Sequence, residues 1–422
     1  MKLLINASLP TSSSALKRVN VLFEETILKV SPEQISSEDI TETYDLKGSI
    51  LLPGGIDAHA HLITEANPAK ALARVSKAAL SGGWTTLAEL SYFNPEPIFG
   101  KEDLARVSAQ INESSFVDMA LWGNVNMADY PYHAEAAQEI WAEGVVGLAL
   151  TSPPANPQIP PITFTEIMDL FMEIYESDTA FAFQGYDSEG SKHYSFASQR
   201  DAVKKILRRM QENPIHVPRI ASFPTIEFIN TISKRSDISF SMCISDLMKL
   251  YNGISSGLLA ELEEYQDIFF ELLRTNKIYM LSNNVESSVP SAEVPEAFRG
   301  TPEQLLPYSY IWALSELWAK RRVPLATVIK MTSENAAKRM GLYPRKGSLD
   351  PGADADFVIF DPNKKTGFTA PDGQKLELEG GFESVFIRGK RVFHNGKAAP
   401  AAGRYTRRTA TPKRRHNNTT WI

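Results

Sequence analysis

Cysteine is almost missing from this chain: Cys243 is the single one in 422 residues. An internal disulfide framework is therefore excluded, and the usage fits a reducing compartment, expected to be the cytoplasm. No apolar run approaches the roughly 20 residues that a membrane-crossing helix needs, so no membrane role is expected. The opening MKLLINASLP has one lysine and a short apolar run that breaks at Asn6, which reads as a first strand and not as a signal peptide. Nor is there a strong excess of one charge. Lysine and arginine number 44 against 50 acidic residues, a net charge of −6, which argues against general nucleic-acid binding. Basic residues concentrate only in the final GRYTRRTATPKRRHNNTTWI, expected to be a solvated or docked terminus. Internal repeats and low-complexity segments are absent.

What the chain does have is length and apolar content, 43% hydrophobic and 22% charged, enough for a barrel of about 250 residues plus a smaller accessory unit. Residues 1–52 hold short β-rich runs, KLLINASL, RVNVLFEE and SILLP, with polar connections. From 53 to 341 the pattern changes to short apolar runs alternating with helical spacing: TTLAEL, VVGLALTS, AFAFQG, IHVPRIAS, DISFSM and KIYMLSN. That alternation predicts repeated βα units and a parallel sheet, most economically a TIM (β/α)8 barrel. Strands return over 342–403, in GSLDPGADADFVIFDP and SVFIRGKRVFHNGK, and the two β-rich ends are expected to pair into one small β-sandwich into which the barrel is inserted. Residues 404–422 form the basic C-terminal tail.

The chemistry-bearing stretch is PGGIDAHAHL, residues 53–62, with His59 and His61 one residue apart and Asp57 two before them. Together with SGGWTTLAEL, VVGLALTSP and TSENAAKRMGLYPRKGSLDPGADADFVIFDP, it resembles the cyclic amidohydrolases of the dihydroorotase, dihydropyrimidinase and allantoinase group, over nearly the whole chain. RGTPEQLLPY is similar to the segment after the last barrel strand of dihydroorotases, and TSENAAKRMG to the Asn-Pro-Ala-Lys signature, with Ala336 replacing the proline. The resemblance implies a TIM barrel with a β-sandwich built from both termini. It also implies two divalent metals, such as zinc, that polarise an amide carbonyl and turn a bridging water into hydroxide. Their ligands would be the His-x-His pair, a carboxylated lysine on the fourth strand, histidines on the fifth and sixth, and an aspartate on the eighth that also shuttles a proton.

Carried over position by position, His59 and His61 are kept and the rest is not. Ala149 stands for the lysine, Gln184 and Arg219 for the histidines, and Asn284, or Asn283 with a one-residue shift, for the aspartate. A primary amide is a poor zinc ligand beside imidazole and carboxylate, and arginine has no lone pair to give. His216 lies three residues before Arg219. In a regular strand only one of the two faces the barrel axis, and alignment on Ser222 favours Arg219. At the substrate positions, Ile63 replaces the arginine and Tyr92 the asparagine of dihydroorotases.

Two readings follow. One is a catalytically silent dihydroorotase-like homologue with a scaffold or regulatory role, binding no metal at His59 and His61. The resemblance implies a homodimer and assembly with aspartate transcarbamoylase in pyrimidine synthesis; with the ligands replaced, no cofactor is expected. The other is a hydrolase of the C–N bond of another cyclic amide, with a remodelled or mononuclear zinc site completed by His216, Asp187 or Glu89. His133, His193, His394 and His416 read as surface or loop histidines, and Cys243 as a small buried barrel residue.

Overall fold

The computed structural model describes residues 1–11, 15–61, 67–90, 97–154, 156, 158–174, 179–191, 195–208, 213–233, 237–251, 264–284, 301–370 and 373–409. The alternating middle segment forms an eight-stranded parallel sheet whose strands neighbour one another in chain order. To number them in one series, the N-terminal strands come first: β1 (Lys2–Pro10), β2 (Leu16–Phe23), β3 (Ile27–Ser31), β4 (Glu42–Asp45) and β5 (Ile50–Pro53). The barrel strands are β6 (Gly55–Ala60), β7 (Trp84–Glu89), β8 (Asp118–Asn124), β9 (Gly147–Ser152), β10 (Phe181–Gly185), β11 (Ile215–Val217), β12 (Ile238–Cys243) and β13 (Met280–Ser282).

Local chemistry starts the helices between them. Helix α1 (Pro68–Ser81) has Asn67 as its N-cap, accepting from the Lys70 amide, with Pro68 in the first turn, where its missing N–H costs nothing. It buries Ala71, Leu72, Val75, Ala79 and Leu80, a stripe at helical spacing, against the barrel wall. The chain then turns into β7 through Gly83, at φ +81, where a Cβ would stand 2.5 Å from the Phe382 ring.

Register fixes what lines the barrel. Partners in a parallel ladder share a face, and Asn124↔Ala149, Ala149↔Ala182, Thr151↔Gln184, Ala182↔His216 and His216↔Ser239 are partners. Ala149 and Ala182 pack in one cluster with Ile56, Ala58, Ala88, Ala120, Trp122 and Met280, so this face is the interior. Barrel cores of this kind are usually filled by bulky branched side chains. Here the Trp122 indole fills part of the space and donates to the Ala58 carbonyl at 3.0 Å, while many of the other positions are alanine, serine or threonine.

The two β-rich ends meet in one sheet of nine strands, as their pattern predicts, with β14 (Phe357–Thr369), β15 (Lys375–Ile387), β16 (Lys390–His394) and β17 (Lys397–Ala398) supplied by the C-terminal segment. The path runs β17-β16-β15-β14-β5-β1-β2-β3, with β4 on β1. In a flat sheet β2 and β14 would lie about 14 Å apart, yet the Phe23 and Phe357 rings meet edge to face at 5.2 Å. The sheet curls onto itself around Leu4, Val21, Phe23, Leu51, Phe357 and Phe386.

A buried ionic knot joins sheet to barrel. The Lys346 ammonium lies 2.8 Å from Asp118, 3.1 Å from Asp354 and 2.5 Å from Asp356, and Arg388 adds an ion pair to Asp118. Burial favours the neutral amine, but the three carboxylates overcome this and raise the Lys346 pKa. The Lys-Gly and Ala-Asp-Ala-Asp signatures thus act in the fold as an anchor.

The start of the basic tail is docked on its own barrel. Met119 N–H donates to the Arg404 carbonyl, Thr406 N–H to Met119, and Thr409 N–H to Gly341, while the Arg408 guanidinium sits 3.6 Å from the Trp141 ring centre. Residues 410–422 lie outside the described residues. One histidine reading changes as well. His133 is fully buried at the start of α3 (His133–Ala142; α2 is Lys101–Ser114), stacked on Tyr130. His394 is exposed as expected, on β16. His193 and His416 fall outside the described residues.

Candidate functional site

The C-terminal ends of the barrel strands gather the residues singled out from the sequence, as the fold requires of a site. His59 and His61 close β6, both fully buried, with ring centres 4.6 Å apart and planes nearly perpendicular. Gln184, at the end of β10, accepts at Oε1 from His59 Nε2 at 3.1 Å. That nitrogen is therefore the protonated one, and the lone pair sits on Nδ1, a buried atom without a hydrogen-bond partner among the described residues. His61 has the opposite tautomer: Nδ1–H donates to the Leu90 carbonyl at 2.8 Å. Asn284, left-handed at φ +44, provides a polar neighbour to its ring.

Asn283 and Asn284, alternatives at one position in the sequence, have separate tasks. Asn283 donates its backbone N–H and its Nδ2 to Asp57 Oδ2, at 3.0 and 2.9 Å, while Asp57 Oδ1 accepts the His59 N–H at 3.1 Å. Burial pushes the Asp57 carboxyl up to about 6, against the pull of these donors. Cys243, at the end of β12, donates to the Asn283 carbonyl, so it lies buried in the barrel wall as expected.

The choice between His216 and Arg219 rests on strand regularity, and the structure removes that premise. Pro218 has no N–H for the ladder, so β11 ends at Val217. His216 then faces the interior in register with Ala182 and Ser239, its Nδ1 3.0 Å from Ser239 Oγ. Ser239 Oγ donates onward to the Ile215 carbonyl, so Nδ1 carries the ring proton and Nε2 keeps the lone pair, without a partner among the described residues. Beyond the strand Arg219 adopts φ +52, outside the alternation altogether. Its charge nevertheless reaches both His59 and His61. Its acidic neighbour is Asp246, with Nε 3.7 Å from Oδ2. Asp246 belongs to α7 (Ile244–Tyr251; α4 is Phe164–Glu173, α5 Phe196–Leu207, α6 Phe223–Ile232). Sequence reasoning offers Asn283, Asn284, Asp187 or a dissolved anion as that acceptor and misses Asp246; the only signal is an acid three residues beyond the next strand end.

All three interior histidines are held neutral. Burial is the main cause for each. It lowers His61 to about 4 and His216 to about 3, and carries His59 well below the usual imidazole value, with the neighbouring rings and the Arg219 charge adding to the effect on His59.

The donor set does not fit the two divalent metals that the resemblance implies. Ala149 offers a methyl group where a carboxylated lysine would bridge the ions, and Gln184 is engaged with His59 Nε2, the atom a metal would need. Arg219 has no lone pair to give a metal, and Asn284 brings no negative charge. Among the described residues no three His, Cys, Asp or Glu side chains converge to hold a metal ion. Of the candidates for a mononuclear site, His216 faces the interior with the histidine pair, whereas Asp187 is bound to Lys205 at 2.7 Å and Glu89 is one residue out of phase with the inward-facing Ala88. Ile63 and Tyr92 lie outside the described residues.

The amidohydrolase family model matches residues 50–243 and 291–392. The chain is 22% identical over 390 residues to a dihydroorotase of Elusimicrobium minutum, covering 85% of this chain and 90% of that one. It is also 22% identical over 413 residues to an allantoinase of Rubrobacter xylanophilus, covering 87% and 89%. Among solved structures, the L-hydantoinase (dihydropyrimidinase) of Arthrobacter aurescens superposes with a TM-score of 0.79 at 18% identity, over 96% of this chain and 99% of that one, which shows the shared fold. With the barrel, the terminal sheet and the His59–His61 pair in place, this chain belongs to the amidohydrolase family.

Proposed function

We propose that this chain is a dihydroorotase-like homologue that does not perform the metal-dependent ring hydrolysis of its family and acts through association, as a scaffold or regulatory partner. The observation that carries the reading is the donor set at the strand ends: among the described residues no three His, Cys, Asp or Glu side chains converge to hold a metal ion. The neighbouring positions Ala149, Gln184 and Asn284 supply neither a bridging ligand nor the general base that ring opening needs.

The dihydroorotase resemblance supplies the candidate partner, an aspartate transcarbamoylase of the same organism, and a homodimer as the candidate assembly. The experiment has two arms. Metal content of protein purified without chelator should be well below one ion per chain, and neither dihydroorotate hydrolysis nor carbamoyl aspartate cyclisation should exceed background. Near-stoichiometric metal that is lost in His59→Ala, with turnover lost in His61→Ala, would overturn the silent reading. Size-exclusion of the chain alone and mixed with the transcarbamoylase tests association; a monomer that neither co-elutes nor changes transcarbamoylase activity would remove the scaffold role.

A further inference from the structure

We propose that the cleft between α4 and α5, on the outer wall of the barrel, is a binding site for a small apolar monocarboxylate, with its carboxylate on the Arg208 guanidinium and its apolar body on Phe164 and Met168. The site stands apart from the barrel interior and does not depend on whether a metal is bound there.

The sequence builds the cleft by setting two helices of different character side by side. Helix α4, FTEIMDLFME, buries Ile167, Leu170 and Phe171 in the core and leaves Phe164 and Met168 only partly covered. Helix α5 buries Ala202, Val203 and Ile206, and its last turn is basic, with Lys204 and Lys205 followed by Arg208 just past its end. Between them lies a cleft of about 250 Å³ whose apolar lining is Phe164, Met168 and Ile206. Its polar lining is Thr165, Glu189, Lys205 and Arg208. The Phe164 ring is held by Phe183 of β10, with centres 6.2 Å apart, and by Lys205 Nζ at 5.0 Å from its centre, so the apolar surface is fixed before a ligand arrives.

Charge selects the head group. The Lys205 ammonium is already matched by Asp187 at 2.7 Å and Glu189 at 3.0 Å. Arg208 is exposed, and its guanidinium has no ion pair or hydrogen bond among the described residues. Its planar fork suits a carboxylate, which accepts two N–H bonds in parallel. Glu189 limits the ligand to one negative charge, because a dianion such as a phosphate monoester would meet a carboxylate of like sign. A neutral ligand would leave Arg208 unused, and a wholly polar anion would leave Phe164 and Met168 facing water. Size sets the rest. At about 30 Å³ per water the cleft equals about eight waters, less than a drug-sized pocket, which limits the apolar body to about a benzene ring or a five-carbon chain. Benzoate and hexanoate are acids of that size.

The test uses the full chain with carbon-13 methyl labels on methionine. It follows the Met168 signal, assigned through Met168→Leu, as benzoate, hexanoate, acetate, benzyl alcohol and phenyl phosphate are titrated in turn. Benzoate or hexanoate should move that signal saturably with a Kd of about 1 mM or below, the affinity open to a ligand of this size. Acetate, without the apolar body, and benzyl alcohol, without the charge, should each bind at least about tenfold more weakly. Arg208→Gln should weaken both acids about tenfold and leave benzyl alcohol unchanged, in a protein whose melting temperature equals the parent's; the exposed Arg18→Gln, on the terminal sheet, should have no effect. No saturable shift of the Met168 signal by either acid would overturn the site. Acetate or phenyl phosphate binding as tightly as the two acids would overturn it in favour of a plain oxyanion site. Benzyl alcohol binding as tightly, or unchanged affinity in Arg208→Gln, would overturn it in favour of an apolar cleft without charge recognition. None of these outcomes bears on catalytic silence, which metal-dependent turnover would overturn instead.

Discussion

Asn283 closes the barrel onto Asp57: its backbone and side-chain N–H groups both donate to Oδ2 of that carboxylate, at 3.0 and 2.9 Å, across the seam between the last strand and the first. β13 and β6 are not ladder partners, so these two bonds stand where backbone pairing would otherwise close the ring. Asp57 in PGGIDAHAHL is thus a staple as well as the residue that fixes the His59 backbone. Replacing it by Ala leaves three buried N–H groups without their acceptor. Asp57→Ala should lose about 3 kcal/mol of stability, measured by urea unfolding, and Asn283→Ala a smaller amount; equal stability of Asp57→Ala and the parent would show that the seam closes by packing alone.

The histidine cluster makes a second prediction, on pH. The folded pKa values of His61 and His216 are about 4 and about 3, with His59 also far below the unfolded value of 6.5. Below pH 6.5 the unfolded chain therefore binds protons that the folded one does not, and stability falls as pH falls. Asp57 works the other way. Its folded value near 6 exceeds the unfolded 3.8, so the folded state takes up one proton in this range. Three rings against one carboxyl leave a net loss, at about 1.4 kcal/mol per net proton per pH unit. The melting temperature should drop steadily from pH 7 to 5, and His216→Gln should flatten the slope. A melting temperature constant over that range would contradict the burial of neutral rings.

Restoring the family's ligands should rebuild a metal site in stages. Ala149→Lys, Gln184→His, Arg219→His and Asn284→Asp together remove the fixed cation and supply a bridging group, two imidazoles and a carboxylate. Metal content should rise from well below one towards two zinc ions per chain. Dihydroorotate turnover should stay at background, because Ile63 and Tyr92 remain. Arg219→His alone should raise zinc binding more than Ala149→Lys alone, since it both removes a repulsive charge and adds a ligand.

The Lys346 knot should be the costliest single site to break. Lys346→Met leaves the buried Asp118 and Asp356, and the half-buried Asp354, with Arg388 and Arg345 as their remaining cationic neighbours among the described residues, a loss of about 3 to 5 kcal/mol. Denaturation followed by both near-ultraviolet circular dichroism and limited proteolysis should show the terminal sheet loosening before the barrel. Simultaneous unfolding with parental stability would contradict the anchor role.

The tail strap gives a milder effect. Arg408→Ala removes the stacking on Trp141 and the donor to its carbonyl at 2.8 Å, and should cost about 1 kcal/mol. Its thermal shift should be smaller than that of deleting residues 404–422 altogether. A deletion that leaves the melting temperature unchanged would show that the strap merely rests on the barrel.

Much of this molecule is legible in the sequence because it is written in local repetition. The alternation of short apolar runs with helical spacing marks the barrel, since each period follows from the geometry of a strand or a helix. The Gly-Ala-Asp-Ala-Asp and His-x-His stretches mark the family, and Ala149, Gln184 and Arg219 mark where the chain departs from the ligand pattern that the resemblance implies. The tertiary structure decided the rest, where contacts join residues far apart in the chain. No spacing rule links Asn283 to Asp57, Lys346 to Asp118, or Arg219 to Asp246. The parity argument for Arg219 against His216 assumed an unbroken strand, and Pro218 with the left-handed turn after it broke that assumption, so His216 faces inward and the Arg219 charge still reaches the histidines. Local pattern fixes which face a residue shows while backbone angles repeat. Where they stop repeating, at the strand ends that carry the site, only the closed barrel determines which side chains meet.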